Sequence, residues 1–143
     1  MNIEFQVEGD AAERIRDLAS APLASARREL IHQAGIQCLQ AIVEANPVET
    51  GRSRSAWVAA LEQLGGSAPA GGEADGTVGV SEGRGQGQAE LADDGQISHV
   101  KASNQVSYVP YLEYGTSKMA PFAMVRKSLL QLRTTLASLF RLR

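Results

Sequence analysis

Apolar and polar residues alternate at the start of the sequence, as they do in a β-strand with one buried face. The apolar positions are Ile3, Phe5 and Val7, and Gly9 follows them. We therefore predict a first strand that ends before Gly9, and after it a short helical segment over residues 11–20.

A longer stretch with helical spacing follows this segment. From Leu23 to Ala45, apolar residues recur every three or four positions, which is the period of a helix with one buried face. Ser20 and Pro22 are typical of a helix start, and Pro47 is typical of a helix end. We predict the main core helix over residues 21–45.

The last segment of the sequence has the most regular apolar spacing. Pro121 is a favourable residue for the first turn of a helix, and the apolar positions after it step alternately by three and four residues. They are Phe122, Val125, Leu129, Leu132, Leu136 and Leu139. This spacing predicts an amphipathic C-terminal helix of about 20 residues, with basic side chains on its other face.

The segments between the two helices are less regular. Residues 55–64 have a mixed pattern compatible with strand or helix, and we favour a short turn followed by a strand. Residues 65–96 are rich in glycine and acidic residues, with one β-like island at 77–80, and we predict a long flexible hairpin loop there. A strand is expected over 97–106, with Ile97, Val100 and Ala102 facing inward. A short helix closed by a glycine is expected over 108–115.

These elements predict one α+β domain over residues 1–143. We expect a small, mainly antiparallel sheet packed against the long helix, with the C-terminal amphipathic helix across or beside it. Hydrophobic residues are 43% and charged residues 21% of the sequence, which excludes wholesale disorder and a membrane-spanning protein. The single cysteine, Cys38, excludes a disulfide framework and suits a reducing compartment, so we expect a cytosolic protein.

Charge is unevenly distributed along the sequence. From Gly115 onward there are six basic residues and no acidic one, whereas residues 67–95 contain six acidic residues and only Arg84 as a basic one. These are either two solvated surfaces, or an acidic loop and a basic end that pair within one chain or between neighbouring copies.

Known catalytic and cofactor motifs are missing from the sequence. His32, His99 and Cys38 do not have the spacing of metal ligands, and residues 83–87 lack the last spacing of a dinucleotide-binding glycine motif. We therefore expect no catalysis, no metal and no cofactor. Because Lys and Arg bind phosphates without sequence preference, the basic C-terminal helix leaves a second hypothesis, a small cytosolic nucleic-acid-binding or regulatory protein.

Two dense clusters of turn, aromatic and charged residues remain. Residues 47–57 are PVETGRSRSAW, and residues 108–122 are YVPYLEYGTSKMAPF. They resemble the signature segments "P-V-D/E-T-G-x-L-x-x-S" and "Y-A-x-Y-v-E-f-G-T-x-K-M-x-A-x-P-F" of the tail-completion (neck, head-to-tail joining) proteins of long-tailed, lambda-like bacteriophages. The resemblance extends from about Leu23 to Leu130. Ser53 stands where that family usually has an apolar residue.

The resemblance implies a structural virion protein that completes the phage tail or joins the tail to the head. It further implies a hexameric ring at the head-proximal end of the tail tube. The partners would be other copies of the chain, the tail-tube protein, and neck or head-completion proteins. The location would be the virion, and the host cytoplasm during assembly. No membrane and no specific nucleic-acid binding is expected, and the family implies no catalytic residue.

The motif residues themselves suggest a clamp or an interface. Thr50 and Gly51 suit a tight turn, and Arg52 and Arg54 offer donors to a carboxylate, for which Glu113 is the natural candidate. Such a pair would hold the two motifs together within one chain or join two subunits. The aromatic residues suit either an interface anchor or core packing. The candidate site residues are Thr50, Gly51, Arg52, Arg54, Trp57, Tyr108, Tyr111, Glu113, Tyr114, Gly115, Thr116 and Lys118.

Overall fold

A computed structural model describes residues 1–6, 21–49, 51–69, 78–94 and 97–139. Within these ranges the chain forms three strands and five helices, and the predicted α+β class is confirmed. Their order is β1 (Asn2–Gln6), α1 (Ala21–Ala45), α2 (Arg52–Gln63), α3 (Val78–Arg84), β2 (Gly87–Asp93), β3 (Ser98–Asn104), α4 (Val109–Tyr114) and α5 (Met124–Leu139).

The three strands form one antiparallel sheet in the order β1-β3-β2. The central strand β3 confirms most of the strand expected over 97–106, and its residues Val100 and Ala102 are buried as predicted. Ile97, which was also expected to face inward, precedes β3 and is half-buried. The first strand is confirmed as far as Gln6. The rest of that prediction and the helical segment over 11–20 lie outside the described residues.

The long helix α1 has the predicted bounds, and it packs against β3, α2 and α5. Its apolar stripe forms one wall of the core, where Cys38, Leu39 and Ile42 are buried. Gly35 belongs to the same face, and a side chain at this position would press on Val100 of the central strand. The period of three to four residues was therefore sufficient to identify this helix and its buried side.

The strand favoured within residues 55–64 is wrong, because this segment belongs to helix α2. Every residue from Ser55 to Leu61 is buried, since α2 packs against α1, α3 and two strands of the sheet. A run of residues that is buried on all sides of a helix has no polar face, so it lacks the helical period and resembles a buried strand.

The long hairpin loop expected over 65–96 is wrong for residues 78–94, which form α3, β2 and the turn between them. The β-like island is also wrong, because residues 78–80 begin α3. Two ion pairs connect α3 with α2, one between Arg52 and Glu82 and the other between Arg84 and Glu62. Residues 70–77 and 95–96 lie outside the described ranges.

Helix α5 begins at Met124, three residues later than the expected start at Pro121. Ala123, immediately before it, has a positive φ of 52°, which redirects the chain into the helix. The predicted seam is confirmed at four positions. Val125 and Leu132 are buried, and Leu129 and Leu136 are partly buried against the core. The first seam position, Phe122, precedes the helix and is 41% exposed.

Candidate functional site

The first motif segment forms the turn between α1 and α2. Gly51 precedes α2 with a φ of 76°, a left-handed conformation that favours glycine, and its carbonyl accepts the N–H of Ser55 at 2.9 Å. Thr50, the other turn residue of the prediction, lies outside the described residues. The segment then continues into a helix, so its side chains point to several sides of α2.

Ser53 makes three hydrogen bonds, of which the one to Tyr108 connects the two motif segments. Its hydroxyl donates to Oδ1 of Asn46 at 2.9 Å, and its backbone N–H donates to the Tyr108 hydroxyl oxygen at 3.3 Å. Its carbonyl accepts Nδ2 of Asn104 at 2.9 Å. The hydroxyl, N–H and carbonyl of Ser53 therefore all have hydrogen-bond partners. Neither asparagine was predicted from the sequence, although their buried amides lie directly after α1 and at the end of β3.

The second motif segment forms α4 and a tight loop. The predicted glycine C-cap is confirmed, because Gly115 has a φ of 78° and donates its N–H to the Tyr111 carbonyl at 2.8 Å. Thr116 and Met119 then form a small β-bridge, and the N–H of Lys118 donates to Oγ1 of Thr116 at 3.2 Å. This loop returns the chain toward the start of α5.

Glu113 is the most deeply buried charged residue of the site, at 1% exposure. One carboxylate oxygen accepts the backbone N–H of Val125 at 2.9 Å. The other accepts the backbone N–H of Arg126 at 3.0 Å and the Nε–H of the same residue at 2.9 Å. The first N–H groups of a helix have no partner within the helix, so Glu113 caps α5 from a distant position in the sequence.

The predicted pairing of Glu113 with Arg52 or Arg54 is wrong. Arg126 is the partner of Glu113, and Arg52 pairs with Glu82 of α3. The side chain of Arg54 makes no ion pair among the described residues. One sequence signal could have indicated this role of Glu113. No Ser, Thr, Asp or Asn stands directly before α5, so the first N–H groups of this helix need a hydrogen-bond acceptor from another segment.

The aromatic residues of the two motifs divide between core and surface. Trp57 is fully buried in α2, and Tyr108 is half-buried. In contrast, Tyr111 and Tyr114 are 59% and 64% exposed, and the guanidinium carbon of Arg126 lies 4.9 Å from the centroid of the Tyr114 ring. Core packing therefore explains Trp57, whereas the two exposed tyrosines are available for an interface.

The two motif segments together line one largely apolar groove. It encloses about 240 Å³ between the turn before α2 and the segment from α4 to α5. Its lining residues are Pro47, Glu49, Gly51, Ser53, Tyr108, Leu112, Met119 and Phe122. The sequence motifs therefore meet in space, although 50 residues separate them, and they share one largely apolar surface.

The chemistry of the remaining candidate residues is structural. Burial raises the pKa of the Cys38 thiol to about 12, so this residue is an un-ionised member of the core at neutral pH. His32 Nε2 lies 2.6 Å from the carbonyl oxygen of Leu64, which ties α1 to the end of α2. Across the described ranges, no three His, Cys, Asp or Glu side chains lie close enough to hold a metal ion. None of the helices described is long and apolar enough to span a bilayer.

Comparison of the chain with protein-family models, with curated proteins and with solved structures gave no match. The features of this chain that bear on its function are the two motif segments and the surface that they form together.

Proposed function

We propose that this chain is a structural virion protein that completes a phage tail or joins the tail to the head, as a ring at the head-proximal end of the tail tube. The observation that carries the proposal is the groove between the two motif segments. The segments whose spacing resembles that of the tail-completion family are neighbours in space, and each contributes side chains to one apolar surface.

Exposed aromatic side chains around the second motif also support an assembly role. Tyr111, Tyr114 and Phe122 are exposed around the second motif, and Arg126 stacks on one of these rings. Aromatic and arginine side chains are enriched in the parts of protein interfaces that carry most of the binding energy. The proposed role requires neither a catalytic step nor a cofactor.

The test is native mass spectrometry of the purified chain, alone and with the tail-tube protein encoded beside its gene. We expect a closed oligomer, either free or on tube ends, and we expect the chain in purified virions. A Tyr111→Ala, Tyr114→Ala variant should fold normally and assemble less. A strict monomer under both conditions, together with absence from virions, would contradict the proposal.

A second candidate is a small nucleic-acid-binding or regulatory protein that uses helix α5. The observation that favours it is the outer face of α5, where Lys127 and Arg133 are exposed and pair with no carboxylate among the described residues. This candidate predicts binding to random DNA that weakens steeply with salt, because bound cations release counterions from the phosphates.

A further inference from the structure

Two aliphatic side chains of the described surface are exposed, and each has two charged residues near it in the sequence. The charges are positive for one side chain and negative for the other. Apart from three aromatic rings, Val48 at 45% and Leu130 at 64% are the large apolar side chains exposed there. Isolated exposed apolar residues are common and need no explanation. These two differ from isolated residues because the charges near one are opposite in sign to the charges near the other.

Leu130 lies on the outer face of α5 between two cations. Lys127 precedes it by three residues and Arg133 follows it by three, which brings all three side chains to one side of the helix. All three are exposed, and no hydrogen bond or ion pair joins either cation to another described residue. We call these three residues the α5 cationic face.

In the sequence, Val48 stands between two glutamates where the chain leaves α1. Glu44 is in the last turn of that helix, and Glu49 follows directly after Val48. Both carboxylates are exposed, and neither forms a hydrogen bond or an ion pair within the described ranges. We call these three residues the Val48 acidic patch.

The charge of the whole sequence is segregated in the same sense. Residues 1–114 contain sixteen acidic and eight basic residues, whereas residues 115–143 contain six basic residues and no acidic one. Two carboxylates of the acidic middle segment, Glu82 and Asp93, pair with Arg52 and Arg27 rather than with α5. The cations of α5 therefore retain their capacity to attract an acidic partner.

We propose that the α5 cationic face of one copy docks on the Val48 acidic patch of a second copy. The inference rests on the proposed ring and names the contact that builds it. Apolar side chains meet at the centre, and the cations of one patch face the carboxylates of the other. Because the two patches are different surfaces, the contact is head-to-tail, and repeating it gives a ring where the rotation between copies closes and an open filament where it does not.

A second copy fits this face better than a nucleic acid does. Phosphates would bind the cations alone, and they would make no apolar contact with Leu130 at the centre of the face. The apolar side chain and the flanking cations together match the Val48 acidic patch in both polarity and sign. Salt should therefore weaken the contact without abolishing it, since screening acts on the charges and leaves apolar burial intact.

The test uses two charge-reversed chains and their mixture. In one variant, Lys127→Glu and Arg133→Glu make both patches acidic, and in the other, Glu44→Lys and Glu49→Lys make both patches basic. Each variant alone should self-associate at least ~10-fold more weakly than the wild type, because like charges face each other. An equimolar mixture should restore assembly with alternating copies, and so should one chain that carries all four changes.

Arg28→Glu is the matched control for Lys127→Glu, because it reverses another exposed cation, on α1. It should assemble as the wild type does, and circular dichroism should confirm that every variant is folded. The readouts are analytical ultracentrifugation and native mass spectrometry over a range of protein concentration and salt.

Three results would overturn the contact. If both reversed chains assemble like the wild type, the ring stands but uses another surface. If Lys127→Glu and Arg133→Glu abolish binding to random duplex DNA and leave assembly unchanged, α5 is a nucleic-acid surface. If the wild type remains monomeric at all concentrations, self-docking is excluded, and incorporation into purified virions tests the proposed function separately.

Discussion

Oε1 of Glu113 accepts two hydrogen bonds from Arg126, one from its backbone N–H at 3.0 Å and one from its Nε–H at 2.9 Å. The Arg126 guanidinium also donates a hydrogen bond from Nη2 to the Glu113 carbonyl oxygen at 2.7 Å. This pair joins α4 to the first turn of α5, and it orients Arg126 over the exposed ring of Tyr114. One buried carboxylate therefore positions both the last helix and part of the candidate interface.

We predict that Glu113→Ala lowers the free energy of unfolding by about 2–4 kcal/mol, because it leaves the buried N–H of Val125 without an acceptor. Glu113→Gln keeps the shape but replaces one acceptor oxygen with an NH2 group, and it should cost about 1–2 kcal/mol. Urea denaturation measures both. Lys127→Ala, in the same helix turn but exposed, is the control and should change little. Equal stability of all three variants would contradict the capping role.

Gly87 marks a close approach between β2 and α2. A Cβ atom at this position would overlap the carbonyl oxygen of Ala56, a backbone atom that cannot rotate away. We predict that Gly87→Ala destabilises the protein by about 1–3 kcal/mol through forced displacement of β2 from α2. At Gly85 the nearest atom to an added Cβ is the Glu82 carbonyl oxygen at 3.7 Å, so Gly85→Ala should be neutral in the same thermal and urea unfolding experiments.

The side-chain amide of Gln63 binds the edge of β2 as a neighbouring strand would. Its Nε2 donates to the Gly87 carbonyl at 3.2 Å, and its Oε1 accepts the Ala89 N–H at 2.8 Å. We predict that Gln63→Leu costs about 1 kcal/mol and accelerates amide hydrogen exchange at Ala89. Gln88→Ala, an exposed substitution in the same strand, should leave that exchange rate unchanged. Slow exchange at Ala89 in Gln63→Leu would show that another group protects this edge.

The buried thiol of Cys38 predicts a pH dependence of stability. Burial raises its pKa from 9.0 to about 12, so ionisation of the thiol favours the unfolded chain. The stabilisation is fully present below pH 9 and is lost as the pH rises toward 12. In urea denaturation at pH 8 to 10.5, the free energy of unfolding should therefore fall more steeply with pH for the wild type than for Cys38→Ala. The difference in slope should reach up to about 1.4 kcal/mol per pH unit. Parallel curves would mean that the thiol does not ionise on unfolding.

Elements that expose one face to solvent were predictable from the sequence. Helix α1 and the seam of α5 were identified because their buried residues follow the helical period, and β3 because its buried residues alternate. Local backbone chemistry was also readable, since Gly115 ends α4 where the sequence places a glycine after an apolar segment.

Only the tertiary structure decided the elements and contacts that depend on distant partners. Residues 55–61 of helix α2 resemble a strand in sequence because all of them are buried, and α3 and β2 form in a glycine-rich segment because they pack on α2. The choice of Arg126 rather than Arg52 or Arg54 for Glu113 follows from the path of the chain around Ala123. By itself the sequence determined local periodicity, turns and the segregation of charge. Packing determined the rest, because burial on several sides and charge pairing depend on residues that are far apart along the chain.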